Sequence, residues 1–471
     1  MVAESRGLRA GAWRADITPP AGVELMGYGA REGAATAVHD PLHARALALS
    51  RGSEGSERAL LIVCAELCLM APDQARALRE RISRATGLSS AQILISCTHT
   101  HSGPDTGLAA LAAGLPEPPH VAPLFDGIVT AASAAWQARR SARLGWGRAA
   151  VQIGRNRRLE GGPVDREVAI LRVVEEGGQP IATLFSHGCH GTVLGHDNLE
   201  ISADWSGVAS RAIEAAGGGV APFLLGAHAD IDPRTRALMD LAIPGQSVGL
   251  GFEAVRVLGL EVAEAVLERM PEIETGPAAL GAASRSLDLP LHPGDVSEAA
   301  ARESLESRRR GLATLLGVAP EAIPRPSELH EWIQRRARDL PLAQAREAIA
   351  RARLYFRDRT GPRLTGGKRR VGVEVQSLRI GEGALLALPV EPTTEVGLDW
   401  AARAQRLGQR GRVAGIGNGW LRYLPHPRDL AEPFAHHRYE VLMSLLAPPA
   451  CEQILDLGER LLRDLLSLED A

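Results

Sequence analysis

Lysine is almost missing from this 471-residue chain: Lys368, within Gly366-Gly367-Lys368-Arg369-Arg370, is the one present. That scarcity excludes most lysine chemistry. A Schiff-base or phosphate-loop lysine would have to be Lys368, which has no strand–GxxxxGK–helix context. Cysteines are few, odd in number and scattered (Cys64, Cys68, Cys97, Cys189, Cys451), which excludes both a disulfide framework and a cysteine-only zinc knuckle. They read as small buried hydrophobes in a reducing compartment. There is no basic excess, since the formal net charge is -3, so nucleic acid is not an expected partner. No apolar run approaches an uncharged membrane span, and the N-terminal MVAESRGLRAGAWRADITPP has no signal-peptide core. The expectation is a cytoplasmic enzyme, long enough to bury a large core.

What is present is an alternation of apolar runs and amphipathic segments. Ala59–Cys64 (ALLIVC) reads as a buried strand, Pro72-Asp73 opens a helix to about Thr86, and Ile93–Cys97 (ILISC) is a second strand. That is a β-α-β unit and hence a parallel pair. The fold class expected is α/β, a large mixed or parallel sheet flanked by helices, with the active site at the carboxyl ends of strands, where loops carry chemistry on a rigid support. Phe252–Met270 has the spacing of one buried helical face. From about 295 to 359 the chain is Arg- and Glu-rich with a helical pattern, opened by a capping box at Asp295–Glu298, and reads as a helical insertion in a single domain spanning 1–471.

The strand ends carry the chemistry. Ile93–Cys97 is followed by Thr98-His99-Thr100-His101, Ile181–Phe185 by Ser186-His187-Gly188-Cys189-His190, Phe223–Leu225 by Gly226-Ala227-His228-Ala229-Asp230-Ile231-Asp232, and Ala384–Leu388 by Pro389-Val390-Glu391. Four strands end in His, Asp or Glu, where ordinary loops favour Ser, Asn and Gly. Convergence of metal-ligand residue types at several strand ends points to a metal site. His190, His196, Asp204, Asp230 and Glu66 are either groups that orient ligands or satisfied core residues. His436-His437 resembles a metal-binding pair, but adjacent side chains point apart, which makes it structural.

Six ordered blocks resemble a known family: ADITPPAGVELMGYG, HDPLHARALAL, SCTHTHSGPDT, SHGCHGTVLGHDNLEISADWSG, LPVEPTTEVG, and GNGWLRYLP ahead of Tyr439-Glu440. They are similar to the catalytic domain of neutral/alkaline non-lysosomal ceramidases. The resemblance implies one catalytic zinc held by two His, one Glu and one Tyr, here His99, His187, Glu391 and Tyr423, with water completing the site. It implies that His101 is catalytic, that Arg157 of GRNRR contacts the reacting group and that Tyr439 stabilises the oxyanion. One departure stands out: where the ceramidases carry a serine before the proline, this chain has Asp232 before Pro233. A carboxylate cannot donate to an oxyanion, but it can orient water or accept its proton. The implied mechanism is attack by metal-activated water on an amide carbonyl, with Asp232 or His101 as base. The chain ends where the ceramidases begin an immunoglobulin-like domain, so a small-molecule or lipid-like amide is the expected substrate. A zinc-dependent esterase or lactonase, and a ligand-binding member without catalysis, are the alternatives.

Overall fold

The computed structural model describes residues 7–28, 31–52, 58–113, 115–235, 251–291, 310, 313–314, 316–323, 370–431 and 438–467. An eight-stranded mixed sheet forms from β1 (Leu8–Asp16), β2 (His43–Arg51), β3 (Arg58–Ala65), β4 (Ile93–Cys97), β5 (Arg140–Ala150), β6 (Glu167–Glu175), β7 (Pro180–His187) and β8 (Phe223–Leu225), in spatial order β8-β7-β6-β5-β1-β2-β3-β4. A four-stranded sheet follows, with β9 (Leu280–Pro290), β10 (Arg370–Ile380), β11 (Gly383–Ala387) and β12 (Arg410–Ala414) in that order.

Four layers result, because each sheet has two faces to cover. Helices α1 (Pro72–Thr86), α2 (Val121–Gln137), α3 (Asp204–Ala215) and α4 (Gly251–Arg269) cover the outer face of the large sheet, where Ala46, Leu61, Val63, Ile82, Ile128, Trp205 and Val262 form one core. A second core lies between the sheets and joins Leu47, Leu60, Leu171 and Leu184 to Leu378, Ile380 and Leu385. Helices α5 (Thr394–Arg406) and α6 (Ala450–Ser467) cover the far face of the small sheet around Val375, Leu386, Trp400 and Leu462. Continuous apolar runs such as ALLIVC are explained by this, since strands inside four layers are buried on both faces.

The predicted β-α-β unit is present. β3 and β4 pair in parallel, with Leu61 opposite Ile93, and α1 connects them. Pro72 starts that helix, and Gly87 ends it with φ 77°, a left-handed conformation natural to glycine. The other parallel pair of the large sheet is β7 with β8. Every remaining pairing in that sheet is antiparallel, so the edge strands β4 and β8 run in formally opposite directions. Their C-terminal loops nevertheless meet. A right-handed twist of about 20–25° per step over seven steps comes to roughly 140–175°, which turns one edge nearly end for end relative to the other. The segment after β12 closes the gap: Gly415 N–H donates to the Leu225 carbonyl (2.9 Å) and Ser96 Oγ donates to the Gly415 carbonyl (3.1 Å).

Most of the expected helical insertion at 295–359, including its capping box, lies outside the described residues, as does His436-His437. Within the insertion, Pro320–Ala322 forms a single 3-10 turn.

Candidate metal centre

Three of the strand-end loops converge with the Glu391 segment. His99, His190, His228 and Glu391 are all buried, and one ligand atom from each lies within 4.8 Å of all the others. The geometry is specific: Nε2 of His99 is 3.4 Å, of His190 3.5 Å and of His228 3.5 Å from the same oxygen, Oε2 of Glu391.

Each imidazole is fixed through its other nitrogen. His99 Nδ1 faces the Cys68 carbonyl at 2.8 Å, His190 Nδ1 the Ile231 carbonyl at 3.1 Å, and His228 Nδ1 the Gly226 carbonyl at 2.9 Å. A carbonyl only accepts, so each Nδ1 carries a hydrogen, and at His190 and His228 the Nε2 lone pair is left toward the centre. Burial, reinforced at His190 by the charge of Arg157, pushes His190 down to about 3 and also lowers His228. Burial acts against charge at His99 too, but Cys68 and Glu391 outweigh it and raise that imidazole well above its ordinary value. Burial likewise works against ionisation of Glu391, yet the surrounding histidines hold its carboxyl well below the usual range. The second oxygen of Glu391 accepts a hydrogen bond from Trp420 Nε1 (2.8 Å).

The backbone is strained where this centre is built. His99 has φ 64°, and Ile416, Asn418 and Arg422 (φ 50°, 61° and 66°) crowd the loop that carries Trp420. Such conformations cost on the order of 1 kcal/mol or more each and persist where surrounding contacts enforce them. Asn418 supplies part of that enforcement by accepting from Ile95 N–H (3.0 Å) and donating to Gln376 Oε1 (2.8 Å).

The donor set fits a metal cation. Among the described residues, His228 Nε2 and Glu391 Oε2 are buried atoms with no hydrogen-bond partner. Orphaned polar atoms of this kind are costly unless something else occupies their lone pairs. Behind the centre, Arg157 pairs with Asp232 and Glu440, and Arg158 with Asp230 and Asp429.

The residues singled out in the sequence divide as follows. His99 and Glu391 are in the centre. His187 is not, and His190 takes its place: His187 is the last residue of β7, its Nδ1 binds the Glu167 carbonyl (3.0 Å), and it lines a small cavity with Asp165, Ser186, Gly226 and Arg412. Past Gly188 and Cys189, His190 enters the cluster. His228, at the end of its own strand, joins the cluster although it is outside the expected ligand set. The signal available was that three separate strands each end in a histidine. Tyr423 lies beside Glu391, the two backbones pairing through the short strands Glu391–Pro392 and Tyr423–Leu424. Burial raises the Tyr423 phenol well above its ordinary value, with Glu391 adding to it.

The four residues expected to be catalytic fall around this group. His101 Nε2 is 3.2 Å from His99 Nε2, and its ring stands edge-on to Tyr28. Arg157 donates from Nε to Glu440 (2.7 Å) and from Nη1 to Asp232 (3.2 Å), and its guanidinium lies 5.5 Å from the Tyr439 ring centroid. The Tyr439 and Tyr423 rings pack at 5.3 Å. Asp204 and Glu66 sit elsewhere, Asp204 at the start of α3 and Glu66 paired with Arg45.

Residues 8–223 match the family model described as neutral/alkaline non-lysosomal ceramidase, N-terminal. Neutral ceramidase 1 of Arabidopsis thaliana is 26% identical over 224 residues, a match covering 42% of this chain and 28% of that relative. The crystal structure of neutral ceramidase from Pseudomonas aeruginosa superposes with a TM-score of 0.71 at 22% identity, covering 97% of this chain and 74% of that one. A second solved structure, a ceramidase complexed with C2, gives 0.70 at 20% identity, with 98% and 75% covered. The ceramidase fold thus extends over nearly the whole chain, beyond the region that the family model matches.

Proposed function

We propose that this chain is a zinc-dependent hydrolase of N-acyl amides of the ceramide type, with the ion held by His99, His190, His228 and Glu391. The observation carrying the reading is the convergence of three imidazole nitrogens on one carboxylate oxygen, in a chain with a neutral ceramidase sequence pattern and fold. When bound, the ion supplies a Lewis acid that polarises a carbonyl and acidifies water.

The chain's own residues perform the rest. Among the described residues Arg157 Nη2 has no hydrogen-bond partner, which leaves a fixed donor for negative charge building on the carbonyl oxygen. Tyr423, buried beside Glu391 and edge-on to Tyr439, presents its phenol on the same side. Tyr439, edge-on to Tyr423 and below the Arg157 guanidinium, completes this donor wall. Asp232 holds Arg157 in place from one side and Glu440 from the other. His101, at the edge of the centre and partly accessible, takes a proton from water and returns it to the leaving nitrogen. That return step favours amides, because an amine leaves only when protonated, whereas an ester or lactone oxygen needs little help.

The test is a comparison of an N-acyl amide, the ester of the same acyl group, a lactone and a fluorescent ceramide, before and after chelation. Amide cleavage that chelator abolishes and zinc restores supports the proposal. Turnover of ester or lactone alone moves the chain to the lactonase reading, and no turnover of any makes it a binding protein. The described residues contain no helix long and apolar enough to cross a membrane, so a lipid-like amide would be met from the aqueous side of a bilayer or micelle.

A further inference from the structure

The loops bearing His228 and Glu391 come from different sheets, yet their ligand atoms must hold to a few tenths of an ångström. One carboxylate joins them. Asp230, two residues beyond His228, accepts at Oδ1 from both the backbone N–H (2.8 Å) and the hydroxyl (2.9 Å) of Thr394, three residues beyond Glu391. In return, His228 N–H and Ala229 N–H both donate to the Pro392 carbonyl at 3.0 Å. The two loops are therefore clipped in both directions within three residues of a ligand on each side.

The clip is itself braced. Asp230 Oδ2 accepts from Asn156 Nδ2 (3.0 Å) and Arg158 Nε (3.2 Å), and Arg158 continues to Asp429 Oδ1 (2.6 Å). Asp429 Oδ2 accepts from Thr393 Oγ1 (2.5 Å) and from His426 N–H (2.8 Å). Arg158, Asp230 and Asp429 are almost completely buried. Asp230 also sits at the N-terminus of α5, where the helix dipole favours an anion.

We propose that Asp230 is a positioning residue that fixes the His228 and Glu391 loops in register for metal binding, with Arg158 and Asp429 as its brace. The inference rests on the metal-centre reading. A merely structural carboxylate would affect stability alone; a positioning one sets metal affinity and coordination geometry in protein that remains folded.

The experiment uses the full chain, stripped of metal and titrated with cobalt(II), whose visible spectrum reports coordination geometry. Asp230→Asn keeps the acceptor toward Thr394 and removes the charge facing Arg158, Asp230→Ala removes both, and Leu462→Ala in α6 is a distant destabilising control. Melting of the metal-free proteins gives the stability of each. The expected result is cobalt affinity lower by about 10- to 100-fold in Asp230→Ala, with an altered spectrum. Asp230→Asn should fall between it and wild type, and Leu462→Ala should melt earlier with unchanged affinity. If both Asp230 variants melt earlier yet bind cobalt as wild type does, the positioning role is overturned while the metal centre stands. If wild type binds no cobalt, the metal-centre reading and this inference fall together.

Discussion

Replacing Glu66 by Gln tests how a buried ion pair at the end of β3 is held. Glu66 is 1% exposed; its Oε1 accepts from Arg45 Nη1 at 2.5 Å and its Oε2 from His43 N–H at 2.6 Å. Burial alone would raise its carboxyl, but Arg45 and His43 outweigh burial and hold it down to about 2, against 4.5 ordinarily. A shift of that size is worth about 3 kcal/mol at 1.36 kcal/mol per unit. This sits at the low end of the roughly 3–5 kcal/mol for breaking a buried ion pair, as expected when Arg45 keeps Glu214 at 2.8 Å. Because the folded value is depressed, the stabilisation is present above the unfolded value and lost as pH falls through about 2. Denaturant titrations should therefore show wild type about 3 kcal/mol more stable than Glu66→Gln at pH 7, with that gap narrowed to roughly half at pH 3. At about 2.1 cal/mol/K per residue, the loss at neutral pH corresponds to a melting shift of roughly 3 °C in a chain of this length. A gap that stays constant between pH 7 and pH 3, or is absent at pH 7, would refute the assignment of Glu66 to a charge-stabilised pair.

Two further outcomes follow from the site. Trp420→Phe removes the donor to Glu391 Oε1 while keeping most of the ring, so chelator competition should show metal binding weakened by about tenfold or more, with secondary structure by circular dichroism unchanged. Gly188→Ala places a Cβ 2.0 Å from the Ala227 carbonyl oxygen, between the loops that carry His190 and His228. Overpacking there should cost about 1–3 kcal/mol in melting experiments and weaken metal binding together with stability.

Much of the fold was legible because burial on both faces leaves uninterrupted apolar runs. ALLIVC, ILISC and the helix between them agree with the sequence reading, as do the strand Phe223–Leu225 and helix α4. The four-layer arrangement was not legible. Nothing local in Arg370–Ile380 or Arg410–Ala414 says that they pair with Gly383–Ala387 in a separate sheet, since that pairing is decided by distant partners. At the site, the strand-end rule led to the four segments that meet in the buried cluster, where His190 and His228 rather than His187 stand beside His99 and Glu391. His187 and His190 are three residues apart across a glycine turn, and which one faces the centre depends on where β7 stops. His228 escaped selection because the family pattern supplied a tyrosine for the remaining ligand, and a side chain's direction is set by tertiary contacts such as the Gly226 carbonyl on its Nδ1.

The most direct test of the central claim is the metal content of purified wild type, His190→Ala and His187→Ala, measured together with their circular dichroism. The account predicts about one zinc per chain in wild type and in His187→Ala, and none in folded His190→Ala. Zinc retained by His190→Ala and lost from His187→Ala, or absent from wild type, would contradict it.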